Sequence, residues 1–168
     1  PRVLRAAVQY QRAGMGRAIV VGREADVKAK LEAAGMADAV AELEIVNAAN
    51  TPHLEEYRAF LYNRLQRKGF DRHDIHRLAT RDRHVFASLM LAHGHGDGLI
   101  TGATRKSAHV LELINHVFDA DAEHGVAGVT AVMHKGRIVL VADTLVQEWP
   151  DENDLADIAE RAAGVARH

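Results

Sequence analysis

The sequence predicts an α/β protein: a layered αβα sandwich with a largely parallel sheet. Short apolar runs rich in Val and Ile alternate with longer segments of helical periodicity. Glycine or proline marks most of the boundaries between them. A pair of β-rich runs close enough to form a hairpin follows the alternating part, as an antiparallel addition to such a sheet would. At 168 residues, 48% apolar and 26% charged, the chain can bury one real core.

In order, residues 1–11 place Val3, Leu4, Ala7 and Val8 at helical spacing, with Gly14 and Gly16 as stop signals. No strand precedes this helix, so a first strand is expected to be missing. Residues 18–21 read as a strand closed by Gly22, residues 23–34 as a helix with Val27 and Leu31 inward, and residues 43–46 as a second strand. Thr51-Pro52 suits an N-cap and first helical position. The helix after it carries Leu54, Tyr57, Leu61 and Leu65 in one stripe and stops at Gly69. Asp71 and Asp74 suit the start of a short helix holding Ile75 and Leu78. A helix over 82–93 follows, with Val85, Phe86, Leu89, Met90 and His93 on one face.

The central stretch is DGLITGATRKSAHVLELINHVF, residues 97–118. Residues 97–101 read as a buried parallel strand, Gly102 opens a turn, and a helix takes over by Val110. A strand, a glycine, Thr104, Arg105, Lys106 and Ser107, then a helix, is a way to build an anion site from free N–H groups, the helix dipole and two cations. The same residues also suit an ordinary strand-to-helix turn with an N-cap at Thr104 or Ser107. The stretch is neither a Walker loop, since Arg105 stands where glycine is needed, nor GxGxxG. Farther on, residues 126–133 and 137–142 form the expected hairpin around His134-Lys135-Gly136. Pro150-Asp151 opens a last helix, with Leu155, Ile158, Ala159, Ala162 and Val165 inward.

Composition narrows the function classes. Lys and Arg number 21 against 23 acidic residues, and aromatics are 5%, so neither a nucleic-acid surface nor an anionic membrane footprint is present. No apolar run is long enough to span a bilayer. The chain lacks cysteine, which fits a cytoplasmic location and excludes thiolate chemistry. The string His93-Gly94-His95-Gly96-Asp97 resembles the H-x-H-x-D ligands of binuclear hydrolases, but Gly98 stands where that class has another histidine; a helix end and turn explain it equally simply. His73, His76 and His84 lie among charged residues that suggest a solvated face. Asp143 sits at the end of an apolar strand, where it either edges a ligand cleft or caps a loop. No Ser-His-Asp arrangement is readable.

Five collinear blocks carry a resemblance: PRVLRAA, AIVVGREADVKAKL, DGLITGAT, RIVLVADTLV and DENDLADIAERAAGVAR. Together they resemble the phosphate acetyltransferase (phosphotransacetylase) family, and more narrowly the C-terminal phosphotransacetylase-like domain of large bacterial NADP-dependent malic enzymes. The resemblance implies an isocitrate-dehydrogenase-like fold, and residues 1–168 as a partial domain without its first strand and C-terminal catalytic part, so that no catalytic residue is assigned. It implies acetyl-CoA as ligand, held by Gly102, Thr104, Arg105, Lys106 and Ser107, with Asp143 and Thr144 lining the cleft. It implies a regulatory, oligomerising acyl-CoA-binding domain without turnover of its own. The expected partners are an N-terminal malic enzyme domain and further copies of the chain, and NADP and a divalent metal are expected only in the malic domain. The alternative is an active phosphate acetyltransferase. Glu112 and Leu113 stand where the family's transferases have arginine and proline, and a carboxylate repels phosphate where a guanidinium would attract it.

Overall fold

In the computed structural model, which describes residues 2–120, 125–143 and 146–167, isoleucine and valine pair where the sequence places its first strands. β1 (Ile19–Val21) and β2 (Glu44–Val46) run parallel, with Ile19 opposite Glu44 and Val21 opposite Val46. The chain crosses between them through α2 (Glu24–Glu32) and a 3-10 turn, Ala37–Ala41. α1 (Arg2–Arg12) and α2 bury Leu4, Val8, Val27 and Leu31 together with Ala39 and Leu43, and Val20 and Ile45 of the strands pack against that cluster. At the end of α1 the Arg12 guanidinium reaches Asp38 and Glu42, each at 2.6 Å. It holds both carboxyl groups below their usual range, chiefly through hydrogen bonds.

Three helices complete this unit: α3 (Leu54–Leu65), α4 (Arg72–Arg81) and α5 (Arg83–Ala92). α3 packs on α4, α4 on α5, and α5 on β1. Their facing stripes are apolar because residues three and four apart share a helix side: Tyr57, Leu61 and Leu65, then Ile75 and Ala79, then Val85, Phe86, Leu89 and Met90 are buried. The boundaries are set by local chemistry. Gly69 takes the left-handed conformation (φ 89°) that stops the preceding helix. Asp71 and Asp74 form a reciprocal capping box at the start of α4. Asp82 Oδ1 accepts from the N–H groups of His84 and Val85 at 2.9 and 3.2 Å to open α5. The Thr51-Pro52 expectation is corrected: α3 begins at Leu54 with His53 in the N-cap position, and Thr51 Oγ1 instead accepts from the His53 N–H at 3.3 Å.

Cα packing divides the chain into two compact units, Pro1–Thr104 and Arg105–His168. The second contains α6 (Ser107–Ile114), the antiparallel hairpin β3 (Val129–His134) and β4 (Arg137–Ala142), and α7 (Glu152–Ala166). Lys135 (φ 46°) and Gly136 (φ 76°) form the two-residue left-handed turn that suits the strand twist, with His134 opposite Arg137. A second capping box, Asp151 with Asp154, starts α7, which packs on β4.

The α/β class stands, with a small parallel sheet and a hairpin. Three expectations within it are corrected. Residues 97–101 form no strand: an apolar run becomes one only when another backbone takes its N–H and C=O groups, and among the described residues none does. Ile100 is accordingly 91% exposed. Lys106, not Thr104 or Ser107, occupies the N-cap position of α6, without a side-chain cap. Of the five residues expected on the inner face of α7, Ile158 is buried, whereas Leu155 and Val165 are exposed.

Candidate functional site

The glycine turn is built by a segment with little regular structure. His93 ends α5 and Gly94 takes a left-handed φ of 73°, after which the His95 N–H returns to the Met90 carbonyl at 2.8 Å. The chain then runs through Gly96, Gly98 and Thr101 to Gly102, whose φ of 104° a side chain would resist. Gly102 and Thr104 are exposed at the end of the first unit. Arg105, Lys106 and Ser107 open the second unit, all exposed, at the entry to α6. Because Lys106 brings no side-chain oxygen to the cap position, its side chain leaves the first N–H groups of the helix uncapped.

One turn into α6 lies a side-chain chain that the sequence reading missed. Arg105 Nη1 donates to His109 Nε2 at 3.0 Å, and His109 Nδ1 lies 3.5 Å from a Glu112 carboxylate oxygen. The spacings i,i+4 and i,i+3 are the ones that meet on a helix, so the signal was present in RKSAHVLE. Arg105 and Glu112 thus lie against opposite ring nitrogens of His109.

Asp143 ends β4 with φ at 45°, an uncommon conformation for a non-glycine residue. Its Oδ1 accepts from the Val146 N–H at 3.0 Å and its Oδ2 from the Gln147 N–H at 3.1 Å, so the carboxylate closes the loop after the strand. Thr144 lies outside the described residues.

The histidine string does a different job from metal binding. His93 Nδ1 bonds the Leu89 carbonyl at 2.8 Å, and His95 Nδ1 lies 2.5 Å from the Tyr57 hydroxyl. The His53 and His95 rings sit 4.1 Å apart, and Tyr57 meets Phe86 edge to face at 5.7 Å. No group of three His, Asp or Glu side chains among the described residues could hold a metal ion. Tyr57 is 1% exposed. Burial, with a smaller contribution from Glu56, pushes its phenol up from 10 to about 12. Folding thus favours the neutral phenol. Stability from this group is complete below pH 10 and is lost as pH rises through 12. Alkaline unfolding followed by tyrosine absorbance should show a loss of about 2–3 kcal/mol across that window, absent in Tyr57→Phe.

The parallel pair with its crossover helix, the helical layer on it and the hairpin define an α/β fold. The family model described as phosphate acetyl/butaryl transferase matches residues 1–168, and the chain belongs to that family. It is 41% identical over 166 residues to an NADP-dependent malic enzyme of Rhizobium meliloti (strain 1021), covering 99% of this chain and 22% of that protein. A phosphate acetyltransferase of Acetivibrio thermocellus is 26% identical over 170 residues, covering 96% of this chain and 49% of that protein. The EutD phosphotransacetylase from Staphylococcus aureus shares the fold at a TM-score of 0.85 and 21% identity, over 98% of this chain and 49% of that one. The chain therefore spans about a fifth of the malic enzyme it matches and about half of the transferases. Among the described residues no helix is long and apolar enough to cross a membrane.

Proposed function

We propose that this chain is a regulatory, oligomerising acyl-CoA-binding domain of an NADP-dependent malic enzyme, without transferase turnover of its own. The observation that carries the reading is the 41% identity to a malic enzyme across 99% of the chain. The ligand is acetyl-CoA, bound at the turn of Gly102, Thr104, Arg105, Lys106 and Ser107. The uncapped start of α6 and its two cations attract a phosphate of the coenzyme. Asp143 shapes the neighbouring loop, and Thr144 follows it in sequence. Glu112, one turn away and drawn to His109, supplies a negative charge where acetyl phosphate would need a cation, which disfavours turnover. NADP and the divalent metal belong to the malic domain, and the protein works in the cytoplasm.

Regulation then requires two states of the parent protein that differ in acetyl-CoA affinity. The hairpin exposes Val132 with Val139 on one face and Met133 with Ile138 on the other, apolar surface through which copies associate; a monomer by light scattering would remove that part of the reading. In the parent protein, malate oxidation should fall several-fold as acetyl-CoA is added, an energy of about 1–3 kcal/mol for a typical coupling. Excision of this domain should abolish the response. Inhibition that survives the excision would place the sensor elsewhere.

A further inference from the structure

The entry to α6 carries a titratable group that the ligand turn does not use. His109 is exposed and stands one turn beyond Arg105 and one turn before Glu112. Arg105 Nη1 lies 3.0 Å from its Nε2, and a Glu112 carboxylate oxygen lies 3.5 Å from its Nδ1. These two are the charged groups that face the ring. Lys106 flanks the same turn. Among the described residues no other element brings a hydrogen-bonding or ion-pairing side chain to the imidazole.

The contacts fix the protonation state of the ring. A guanidinium has N–H donors and no acceptor, so the nitrogen that meets it must offer a lone pair. With Nε2 as acceptor, the imidazole is neutral and carries its proton on Nδ1, on the side of Glu112. A second proton changes both sides. At Nε2 it sets N–H against N–H and cation against cation, and the hydrogen bond from Arg105 is lost. Toward Glu112 the ring becomes an imidazolium beside a carboxylate, which is an attraction. Protonation therefore takes the ring away from Arg105. It also offsets the Glu112 charge next to the ligand turn.

We propose that His109 is a positioning residue for Arg105 that couples coenzyme binding to a proton: the neutral ring holds a guanidinium N–H that a phosphate would otherwise take, and the protonated ring yields it. The inference rests on the acyl-CoA reading, and it adds regulation by pH to that site. The sign follows from the contacts. Affinity for the anionic coenzyme rises as pH falls through the range in which imidazoles titrate, roughly pH 8 to 5. By linkage, binding of the coenzyme favours uptake of a proton.

The test is acetyl-CoA affinity by calorimetry on the full-length protein at about pH 8 and about pH 6, the window in which histidine changes charge. The coenzyme's own phosphates titrate too, but equally for every variant, so differences between variants isolate the protein. His109→Asn keeps an amide oxygen for Arg105 and cannot take the proton. His109→Lys carries the charge at both pH values. His109 is exposed, so neither substitution disturbs the buried face of α6. On going from the higher to the lower pH, the Kd of the wild type should fall about fivefold more than that of His109→Asn. At the higher pH, His109→Lys should bind about fivefold more tightly than the wild type. In an Arg105→Gln background the difference between histidine and asparagine at position 109 should largely vanish, because the proton acts through the guanidinium. Parallel pH profiles in the wild type and His109→Asn overturn the proton coupling. A difference that persists undiminished in Arg105→Gln overturns the positioning role. Absence of binding at both pH values is a separate result: it overturns the acyl-CoA reading and this inference with it.

Discussion

Reversing both cations at the entry to α6, in the double variant R105E/K106E, should weaken acetyl-CoA binding by about a hundredfold, roughly 3 kcal/mol. Each charge-assisted contact to a phosphate contributes on the order of 1.5 kcal/mol, and reversal adds repulsion to the loss. Both residues are exposed, and neither forms part of a buried stripe, so the melting temperature should move by no more than a few degrees. Arg105 also donates to His109, but both side chains are exposed, so the loss of that contact costs little stability. Raising the salt concentration should narrow the gap between wild type and variant, because the contacts are solvent-accessible. Equal affinity in the two proteins would remove these cations from the ligand site.

Phe86→Ala should produce the largest loss of stability, about 3–5 kcal/mol. The ring is fully buried in α5 and sits at the junction of the helical layer, edge to face with Tyr57. Its removal leaves a cavity between packed helices that cannot collapse without moving Tyr57. Ile100→Ser is the natural control. With Ile100 91% exposed, the substitution should change stability by about 0.5 kcal/mol or less. Denaturant unfolding of the two variants checks both statements. A comparable loss in both would show that Ile100 is buried in a strand after all, as its sequence neighbourhood suggests.

That contrast shows where the sequence was informative and where it was not. Helix starts were legible because their causes are local: Asp71 with Asp74, and Asp151 with Asp154, satisfy N–H groups within a few residues of themselves. The hairpin was legible because Lys135-Gly136 tolerates the backbone the turn requires. Residues 97–101 misled because apolar character does not say whether a partner strand exists. α7 misled in part because helical periodicity identifies an apolar face but not how much of it finds a neighbour. The contacts of Tyr57 with His95 and of His84 with Thr101 could not be read at all, since the partners are 38 and 17 residues apart. For the ligand turn, the residue types and their order were visible, while the Arg105–His109–Glu112 chain needed only helical spacing to be seen. Asp143 illustrates a third case. A carboxylate at a strand end suits a cleft or a cap, and its two hydrogen bonds to the following loop show what its oxygens do here.

The central claim is that this domain binds acyl-CoA without transferring the acyl group. The measurement that tests it most directly is calorimetric titration of the protein with acetyl-CoA, with acetyl transfer to phosphate assayed on the same sample. Saturable binding at one site per chain with no acetyl phosphate formed is the predicted result. Acetyl phosphate produced at a rate that follows site occupancy, or no heat of binding at all, would contradict it.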